Sequence, residues 1–335
     1  MQWTKLDWTL PKIFSFLIIT LNEETEATLE IASFIFIMAF RSILISEATK
    51  INLDLNNIVI QYNGDNYRIN LDEISTLVLD DDRCLVSIKL LCELCNKGIN
   101  VVLTDSSHKP VGTLTTLYNN VRAPKRNKEQ INWEDSLKGH LWTEIVKNKI
   151  KNQRDVLAYL NKNDKIHILD DYINTIEFGD KTNREGLASR TYFKELFGIN
   201  FKRFNQDIIN FCLNYTYQIL RSKISQEIVA LGYQPSFGIC HKNEYNTFNL
   251  ADDFIEVFRP IIDYYVYKIL NDAEEEYLTP SLKGKLINIV NERVEYKNNS
   301  YKIHNVIEFY LQDLTNFLAT GDLSKINFPK IILNT

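Results

Sequence analysis

The segment FNLADDFIEVFRP, from Phe248 to Pro260, decides how the C-terminal half of this chain folds. Its apolar residues recur at helical spacing and predict a buried helix. Asp253, Glu256 and Arg259 follow one another at i, i+3 and i+6, which places two acids and a base on one face of that helix. Such a face is either an exposed surface with ordinary salt bridges or the polar side of a functional site.

The ends of this helix can also be predicted. Asn249 or Thr247 can cap its N terminus with a side-chain oxygen. Pro260 kinks the helix or starts a new one, because proline has no backbone N–H to donate.

Two more polar residues that are costly to bury lie in apolar or helix-forming stretches. Glu185, in REGLASRTYFKELFG, falls in the first turn of a helix if Thr182 or Asn183 is the N-cap. An acid at that position is also an ordinary complement of the helix dipole. His241 ends LGYQPSFGICH, and a lone histidine is usually a surface or hydrogen-bonded core residue. Each residue alone therefore has a purely structural explanation.

Glu185, His241 and Glu256 together supply two carboxylates and one imidazole. Oxygen and nitrogen ligands of this kind suit Mg²⁺ or Mn²⁺ and leave open positions for water and phosphate oxygens. The three residues therefore predict a divalent-metal site that acts on phosphodiesters.

The composition is that of an ordinary soluble globular protein. A chain of 335 residues with 45% hydrophobic content can form one large domain or two ordinary ones. The net charge of -5 is unexpected for a protein that binds DNA, since phosphate binding favours a basic surface. The charge is unevenly distributed, because basic residues concentrate between Arg122 and Arg154.

One helical face in this basic region is a candidate DNA contact. Lys147, Lys151 and Arg154 recur at i, i+4 and i+7 and line one side of a helix. Such a side can follow a DNA backbone, and the alternative is a solvated surface stripe. Arg190 completes our set of candidate DNA-binding residues.

The cysteines predict an intracellular protein. Their odd number, five, and the lack of an export signal argue against a disulfide framework. Cys92 and Cys95 form the only close pair in the sequence, and a tetrahedral zinc site needs a second pair. We therefore expect reduced thiols, no zinc site and a cytoplasmic location.

The chain divides into a β-rich part and a helical part. Residues 38–117 contain short strand-like runs with a hairpin turn at Asn63-Gly64 and one helix, Leu85 to Lys97, followed by Gly98 at C′. Residues 118–132 are polar, basic and broken by Pro124, which is typical of a linker. Helical periodicity dominates residues 133–335. The prediction is an α+β fold with a small N-terminal β-rich domain and a larger all-α catalytic domain.

Three of these segments resemble, in order and in wording, the CRISPR-associated spacer-acquisition endonuclease/integrase family, and most closely its type II branch. The motifs are Glu185-Gly186 with Ala188 and Tyr192, Gly238 to His241, and Asn249 to Pro260. The resemblance also includes Leu141 to Leu157, similar to the family's first long helix, and Asn100 to Gly112, similar to the end of its β domain. It extends from about Met38 to the C terminus.

The resemblance implies that Glu185, His241 and Glu256 bind Mg²⁺ or Mn²⁺. It further implies a set of auxiliary residues around the metal: Asp253, Asn249 and Arg259. Many family members have Asp at the position of Glu256. This chain departs from them, but Glu is also accepted at this position in the type II branch.

The implied activity is the insertion of new spacer DNA into a CRISPR array, as part of antiviral defence. A 3′ hydroxyl of the captured double-stranded fragment attacks a phosphodiester of the repeat. The β-rich domain is expected to form a homodimer, and two dimers join a small ferredoxin-like CRISPR-associated partner in a hetero-hexamer. The type II branch adds its effector nuclease and a ring-shaped accessory protein. The alternatives are a stand-alone metal-dependent DNA nuclease and a non-catalytic DNA-binding scaffold.

Residues 1–37 have no counterpart in this family. The apolar runs Ile13 to Leu21 and Ile31 to Phe40 are each too short to span a bilayer. An acid near the start and the lack of a small-residue cleavage motif argue against a signal peptide. We interpret these residues as a non-native or mis-called upstream extension of a protein that starts at Met38, with a membrane-surface anchor as the alternative.

Overall fold

The computed structural model describes residues 41–116, 120–272 and 275–332. The predicted extension and the predicted start at Met38 lie outside these ranges. Within them, no helix is long and apolar enough to cross a membrane. The described chain has a β-rich N-terminal domain and a mostly helical C-terminal domain, which confirms the predicted α+β fold.

The β-rich domain has two four-stranded sheets. Its elements are β1 (Arg41–Ile45), β2 (Lys50–Asp54), β3 (Asn57–Tyr62), β4 (Asp65–Asn70), β5 (Ile74–Leu79), β6 (Leu85–Val86), α1 (Ile88–Asn96), β7 (Asn100–Thr104) and β8 (Pro110–Thr113). In the first sheet, β1, β5 and β7 are parallel and β8 runs antiparallel to β7. In the second, β4, β3 and β2 form an antiparallel meander and β6 pairs with β2.

Turn chemistry explains the boundaries of these elements. Asn63 and Gly64 make the predicted hairpin turn, with φ of 49° and 91°, the positive values that a type I′ turn requires. The predicted helix from Leu85 starts only at Ile88, because the Ser87 side chain caps the N–H of Leu90 at 3.4 Å. The two residues before this cap pair with β2 instead.

The first sheet is buried on both faces. Leu44, Val78 and Val102 pack into the helical core. Their neighbours on the same strands, such as Ile43 and Leu77, pack against the second sheet and α1. This alternation follows from the two-residue period of a strand, and it makes the first sheet the wall between the two domains.

The segment predicted as a linker contains a helix, α2 (Ala123–Ile131). Pro124 lies in the first turn of this helix, where its missing N–H costs no hydrogen bond. Gln130 Nε2 donates to the carbonyls of Gln234 and Phe237 at 2.9 and 3.1 Å. These bonds fix α2 to the loop that leads to His241.

The helical domain is built around one apolar core. Its helices are α3 (Asp135–Tyr159), α4 (Ile166–Asn174), α5 (Arg184–Phe197), α6 (Ile208–Ala230), α7 (Asn249–Ile255), α8 (Arg259–Asn271), α9 (Pro280–Asn288) and α10 (Ile303–Thr320). The long helix α3 contacts α4, α5, α8 and α10. Helix α3 is therefore the central helix of the domain, against which these four helices pack.

The domain is mostly helical rather than all-α. Strands β9 (Arg293–Tyr296), β10 (Asn299–Lys302) and β11 (Lys330–Ile331) form a small sheet with the order β10-β9-β11. Lys297 and Asn298 make the hairpin turn with positive φ values of 51° and 61°. The sequence pattern does not predict this sheet, because its strands are short and lie between strongly periodic helices.

Buried polar contacts join the two domains. Lys283 of α9 lies 2.7 Å from Asp80, which directly follows β5. Thr104 at the end of β7 donates to the other oxygen of Asp80 at 2.9 Å. Because both strands are parallel, their carboxyl ends meet at the same edge of the sheet. The lysine thus ties α9 to that edge.

Candidate metal site

Lys149 is the centre of the polar cluster in the helical domain. It lies on the inner face of α3 and is 5% exposed. Its Nζ is 2.5 Å from Glu256 Oε2 and also contacts Glu185 Oε1. Burial alone would lower the pKa of Lys149, but the charges of the two carboxylates outweigh it and raise this pKa.

Glu185 is held by the N terminus of α5. Asn183 is the N-cap, as one of the two predicted alternatives stated, and accepts a bond from the N–H of Gly186 at 3.2 Å. The Asp180 carboxylate accepts bonds from the N–H groups of Arg184 and Glu185 at 2.7 and 3.0 Å. The N–H groups at the start of a helix have no partner within the helix. These three bonds satisfy the N–H groups of Arg184, Glu185 and Gly186 and fix the backbone from which the Glu185 side chain reaches Lys149.

Glu256 lies at a break in the helix predicted from the sequence. A 3₁₀ turn, Glu256–Phe258, separates α7 from α8, and Pro260 lies in the first turn of α8 rather than kinking a continuous helix. Arg259 Nε is 2.9 Å from Glu256 Oε1. Burial alone would raise the pKa of Glu256, but the positive charges of Arg259 and Lys149 outweigh it and lower this pKa. The acid is therefore ionised and held from both sides.

Asp253 holds the loop that presents His241. It is fully buried, and it accepts bonds from the N–H groups of Ile239, Cys240 and His241 at 2.6, 3.1 and 3.0 Å. It also lies 2.7 Å from His241 Nδ1. The hydrogen bond to Asp253 raises the pKa of His241. Since Nδ1 is engaged, Nε2 is the ring nitrogen left for a ligand, which is the arrangement expected of an auxiliary acid.

Asn249 and Gly238 complete this loop. The predicted N-cap role of Asn249 or Thr247 is wrong, because Phe248 is at the cap position and makes no side-chain cap. Asn249 Nδ2 instead donates to the carbonyls of Ser236 and Asn243 at 3.1 and 2.9 Å. A Cβ at Gly238 would lie 2.3 Å from the carbonyl oxygen of His241 and 2.7 Å from Asp253 Oδ2. Only glycine fits there.

The three predicted ligands have suitable chemistry but are not gathered around one point. Within residues 41–116, 120–272 and 275–332, no group of three or more His, Cys, Asp or Glu side chains is close enough to share an ion. Glu185 and Glu256 do converge, and the position between them is taken by the Lys149 ammonium. The carboxylates and the oriented imidazole fit Mg²⁺ or Mn²⁺ as a donor set. An ion can bind between the two carboxylates only when the Lys149 ammonium moves away from them.

The candidate DNA-binding residues have mixed surroundings. Lys147 lies 3.3 Å from Glu144, and Arg154 lies 2.7 Å from Asp155 and 3.2 Å from Asp170. Lys151 is partly buried on the same helix, and Arg190 is exposed on α5. Two of the four are therefore partly neutralised, and DNA binding by the set stays a prediction.

An open cavity of about 580 Å³ lies beside His241. Its lining includes Gln130 and Ile131 of α2, Trp133, and Lys138 of α3. Residues of the predicted linker therefore line the space next to the imidazole. No local sequence pattern indicates that they lie near His241.

The chain matches known proteins over most of its length. A family model described as CRISPR associated protein Cas1 matches residues 43–277. The CRISPR-associated endonuclease Cas1 of Neisseria meningitidis serogroup C (strain 8013) is 29% identical over 296 residues, which cover 88% of this chain and 97% of that protein.

Two solved structures share the fold. A casposase bound to an integration product has a TM-score of 0.71 at 17% identity and covers 85% of this chain and 92% of its own. A chain of a Cas6-RT-Cas1–Cas2 complex has a TM-score of 0.66 at 18% identity and covers 87% of this chain and 36% of its own.

The family model, matched over both the β-rich sheets and the helices that carry the candidate site, places the chain in the class of CRISPR-associated proteins. The matched residues cover almost all of the described β-rich domain, the helical domain as far as α8, and all three predicted metal ligands. The chain belongs to the Cas1 family. The family predicted from the motifs is thereby confirmed, and the type II branch stays a prediction.

Proposed function

We propose that this protein is a metal-dependent DNA endonuclease/integrase that inserts new spacer DNA into a CRISPR array in the cytoplasm. The observation that supports this most is the convergence of Glu185 and Glu256 from two helices, beside a His241 that Asp253 orients. Family membership adds the kind of substrate, because the relatives are CRISPR-associated endonucleases and a structure of the same fold is bound to an integration product.

The proposed reaction is a transesterification that needs no protein nucleophile. A 3′ hydroxyl attacks a phosphodiester and displaces a DNA oxygen, so the enzyme has to align the two oxygens and balance charge on the phosphoryl group. Glu185, His241 and Glu256 would hold Mg²⁺ or Mn²⁺, which stabilises phosphoryl charge and lowers the pKa of the attacking hydroxyl. Asp253 keeps the imidazole oriented, and Arg259 fixes Glu256.

The proposed assembly follows the family. A structure of the same fold is part of a Cas6-RT-Cas1–Cas2 complex. We extend this to a homodimer of the present chain and a hetero-hexamer with a small ferredoxin-like CRISPR-associated partner. A partner that supplies part of the DNA path accounts for a net charge of -5 in a DNA enzyme. The type II effector nuclease and a ring-shaped accessory protein belong to the same proposal.

A stand-alone nuclease is the second candidate, because the curated relatives are called endonucleases. The same residues can activate water instead of a DNA hydroxyl. A non-catalytic scaffold is less well supported, since the chain contains all three candidate ligands.

The test is a DNA-joining assay with the full chain, its small partner, a fragment with free 3′ hydroxyls and a plasmid that contains the repeat. His241→Ala and Glu256→Ala are expected to lose joining by at least about 100-fold, the usual cost of a group that stabilises a transition state. The control is His167→Ala, which removes an exposed histidine of α4 and is expected to join normally. Joining by both site variants at the normal rate would falsify the site, and cleavage without joining would favour the nuclease.

A further inference from the structure

The two candidate carboxylate ligands are already neutralised by this chain's own cations. Lys149 contacts Glu256 Oε2 and Glu185 Oε1, and Arg259 contacts Glu256 Oε1. Two negative charges thus meet two positive charges. Lys149 and Glu256 are 5% and 6% exposed, so water screens these charges little.

A divalent ion that enters such a site meets no net attraction. If Lys149 stays, the ion adds two positive charges to a neutral cluster in a poorly screened place. If Lys149 leaves, its ammonium needs another anion, because an unpaired buried charge is costly. In either case an anion that arrives with the ion offsets this cost, and the phosphodiester of bound DNA is such an anion.

The side chain and its surroundings permit this exchange. Lysine is a compact point charge on a flexible stem that can turn from a carboxylate to a phosphate. One side of the cluster is open, because the Glu185 side chain is 29% exposed. Arg259 is less free to move, since its guanidinium lies over the ring of Tyr217 at 4.6 Å from the centroid.

We propose that Lys149 is a resident counter-cation that makes divalent-ion binding depend on bound DNA. Without DNA, the Lys149 ammonium bridges Glu185 and Glu256 and disfavours binding of the divalent ion. With DNA, Lys149 pairs with a phosphate, and the ion binds the two carboxylates in its place. Metal and DNA then bind cooperatively, and each raises the affinity for the other by the same factor. This inference rests on the proposed metal site.

The experiment measures Mn²⁺ affinity of the full chain, from the free-ion electron paramagnetic resonance signal, with and without a short DNA duplex. In the wild type, DNA is expected to tighten Mn²⁺ binding about tenfold or more. Lys149→Met keeps the length of the side chain and removes its charge. This variant is expected to bind Mn²⁺ about tenfold more tightly than the wild type without DNA, and to show little further gain with DNA.

Two further variants test whether a change in Mn²⁺ affinity comes from the charge of Lys149 or from a loss of protein stability. Lys149→Arg keeps the cation and is expected to keep the dependence on DNA, so tight Mn²⁺ binding by this variant without DNA would overturn the proposal even if Lys149→Met does not fold. Lys283→Met removes the charge of a lysine that is equally buried but contacts Asp80 in the other half of the molecule. It is expected to bind Mn²⁺ as the wild type does.

The outcomes also separate this inference from the proposed function. If Lys149→Met binds Mn²⁺ and responds to DNA as the wild type does, while Glu256→Gln loses Mn²⁺ binding, the counter-cation role is wrong and the metal site stands. If Glu256→Gln binds Mn²⁺ as well as the wild type, with and without DNA, the metal site itself is wrong and the counter-cation role with it.

Discussion

Lys149 and Lys283, the two lysines buried in the described part of the chain, differ in the number of carboxylates that they contact and in how far water reaches those carboxylates. Lys283 faces one carboxylate, Asp80, and the two side chains are 3% and 0% exposed. Both oxygens of Asp80 are engaged, one by Lys283 and the other by Thr104 and His108. Lys149 faces two carboxylates, and the Glu185 side chain is 29% exposed.

This difference separates a structural ion pair from a functional one. A lysine enclosed with a single acid can only stabilise the contact between the elements that carry them, here α9 and β5. A lysine between two acids, one of which water reaches, can exchange partners. Both lysines are buried, so the number and the accessibility of their carboxylate partners distinguish the proposed exchange site from the structural pair.

The largest expected effect comes from breaking the enclosed pair. Lys283→Met leaves the Asp80 carboxylate buried without its cation, so we expect the free energy of unfolding to fall by about 3–5 kcal/mol. Chemical denaturation followed by circular dichroism measures this loss. The joining rate per folded molecule is expected to stay normal, because Lys283 lies outside the candidate site.

The double variant Lys283→Met with Asp80→Asn is the control for this prediction. It removes both charges and is expected to recover much of the lost stability, since neither charge is then left unpaired. A loss below about 1 kcal/mol in the single variant, typical of exposed pairs, would show that the junction does not depend on this ion pair.

The next effect concerns the open site and is seen in activity rather than in stability. Asp253→Asn weakens the acceptor that holds three N–H groups and His241 Nδ1. We expect the joining rate or the metal affinity to fall about 10–100-fold, as is usual for a residue that orients a metal ligand. The measurement is the joining rate as a function of Mn²⁺ concentration.

Asp252→Asn is the matched control for Asp253→Asn. The neighbouring acid accepts a bond from Asn246 at 2.8 Å and lies 3.7 Å from Arg221, so it does not hold the loop of His241. This variant is expected to join DNA within about twofold of the wild type, because it leaves unchanged the bonds that orient His241. Equal losses in both variants would contradict the specific role of Asp253.

The sequence predicted much of the fold because many boundaries are set locally. Asn63-Gly64 fixes a hairpin, Asn183 caps α5 and the apolar period of α3 marks its buried face. The acids and the histidine of the candidate site could be singled out because they lie in separate motifs in a recognisable order, and their role as metal ligands stays a prediction. Helix α2 was missed, since Pro124 is compatible with both a turn and a helix start.

Lys149 could not be assigned from its neighbours in the sequence. It lies in the basic run KNKIKNQR, in which Lys147 and Arg154 face outward enough to meet acids near the surface. Only its spacing of four from Ile145, on the buried stripe of α3, indicated an inward position. Which acids it meets depends on how α5 and the 3₁₀ turn after α7 pack against α3, and no local pattern contains that information.

The smallest effect tests a buried acid whose hydrogen-bond partner is a tyrosine. Asp263 is 1% exposed, and it accepts a hydrogen bond from the Tyr217 hydroxyl. Burial raises the pKa of Asp263 from 3.8 to about 7. Because the folded protein favours the protonated acid, the stability from this group is complete below pH 3.8 and is lost as the pH rises through about 7.

We therefore expect the wild type to lose on the order of 1 kcal/mol of unfolding free energy between pH 6 and pH 8 through this group. Asp263→Asn keeps the shape of the side chain and cannot ionise, so its unfolding free energy is expected to change less over the same range. Denaturant titrations of both proteins at the two pH values measure the difference. A parallel pH dependence in both proteins would mean that Asp263 keeps one protonation state between pH 6 and pH 8, which contradicts a pKa near 7.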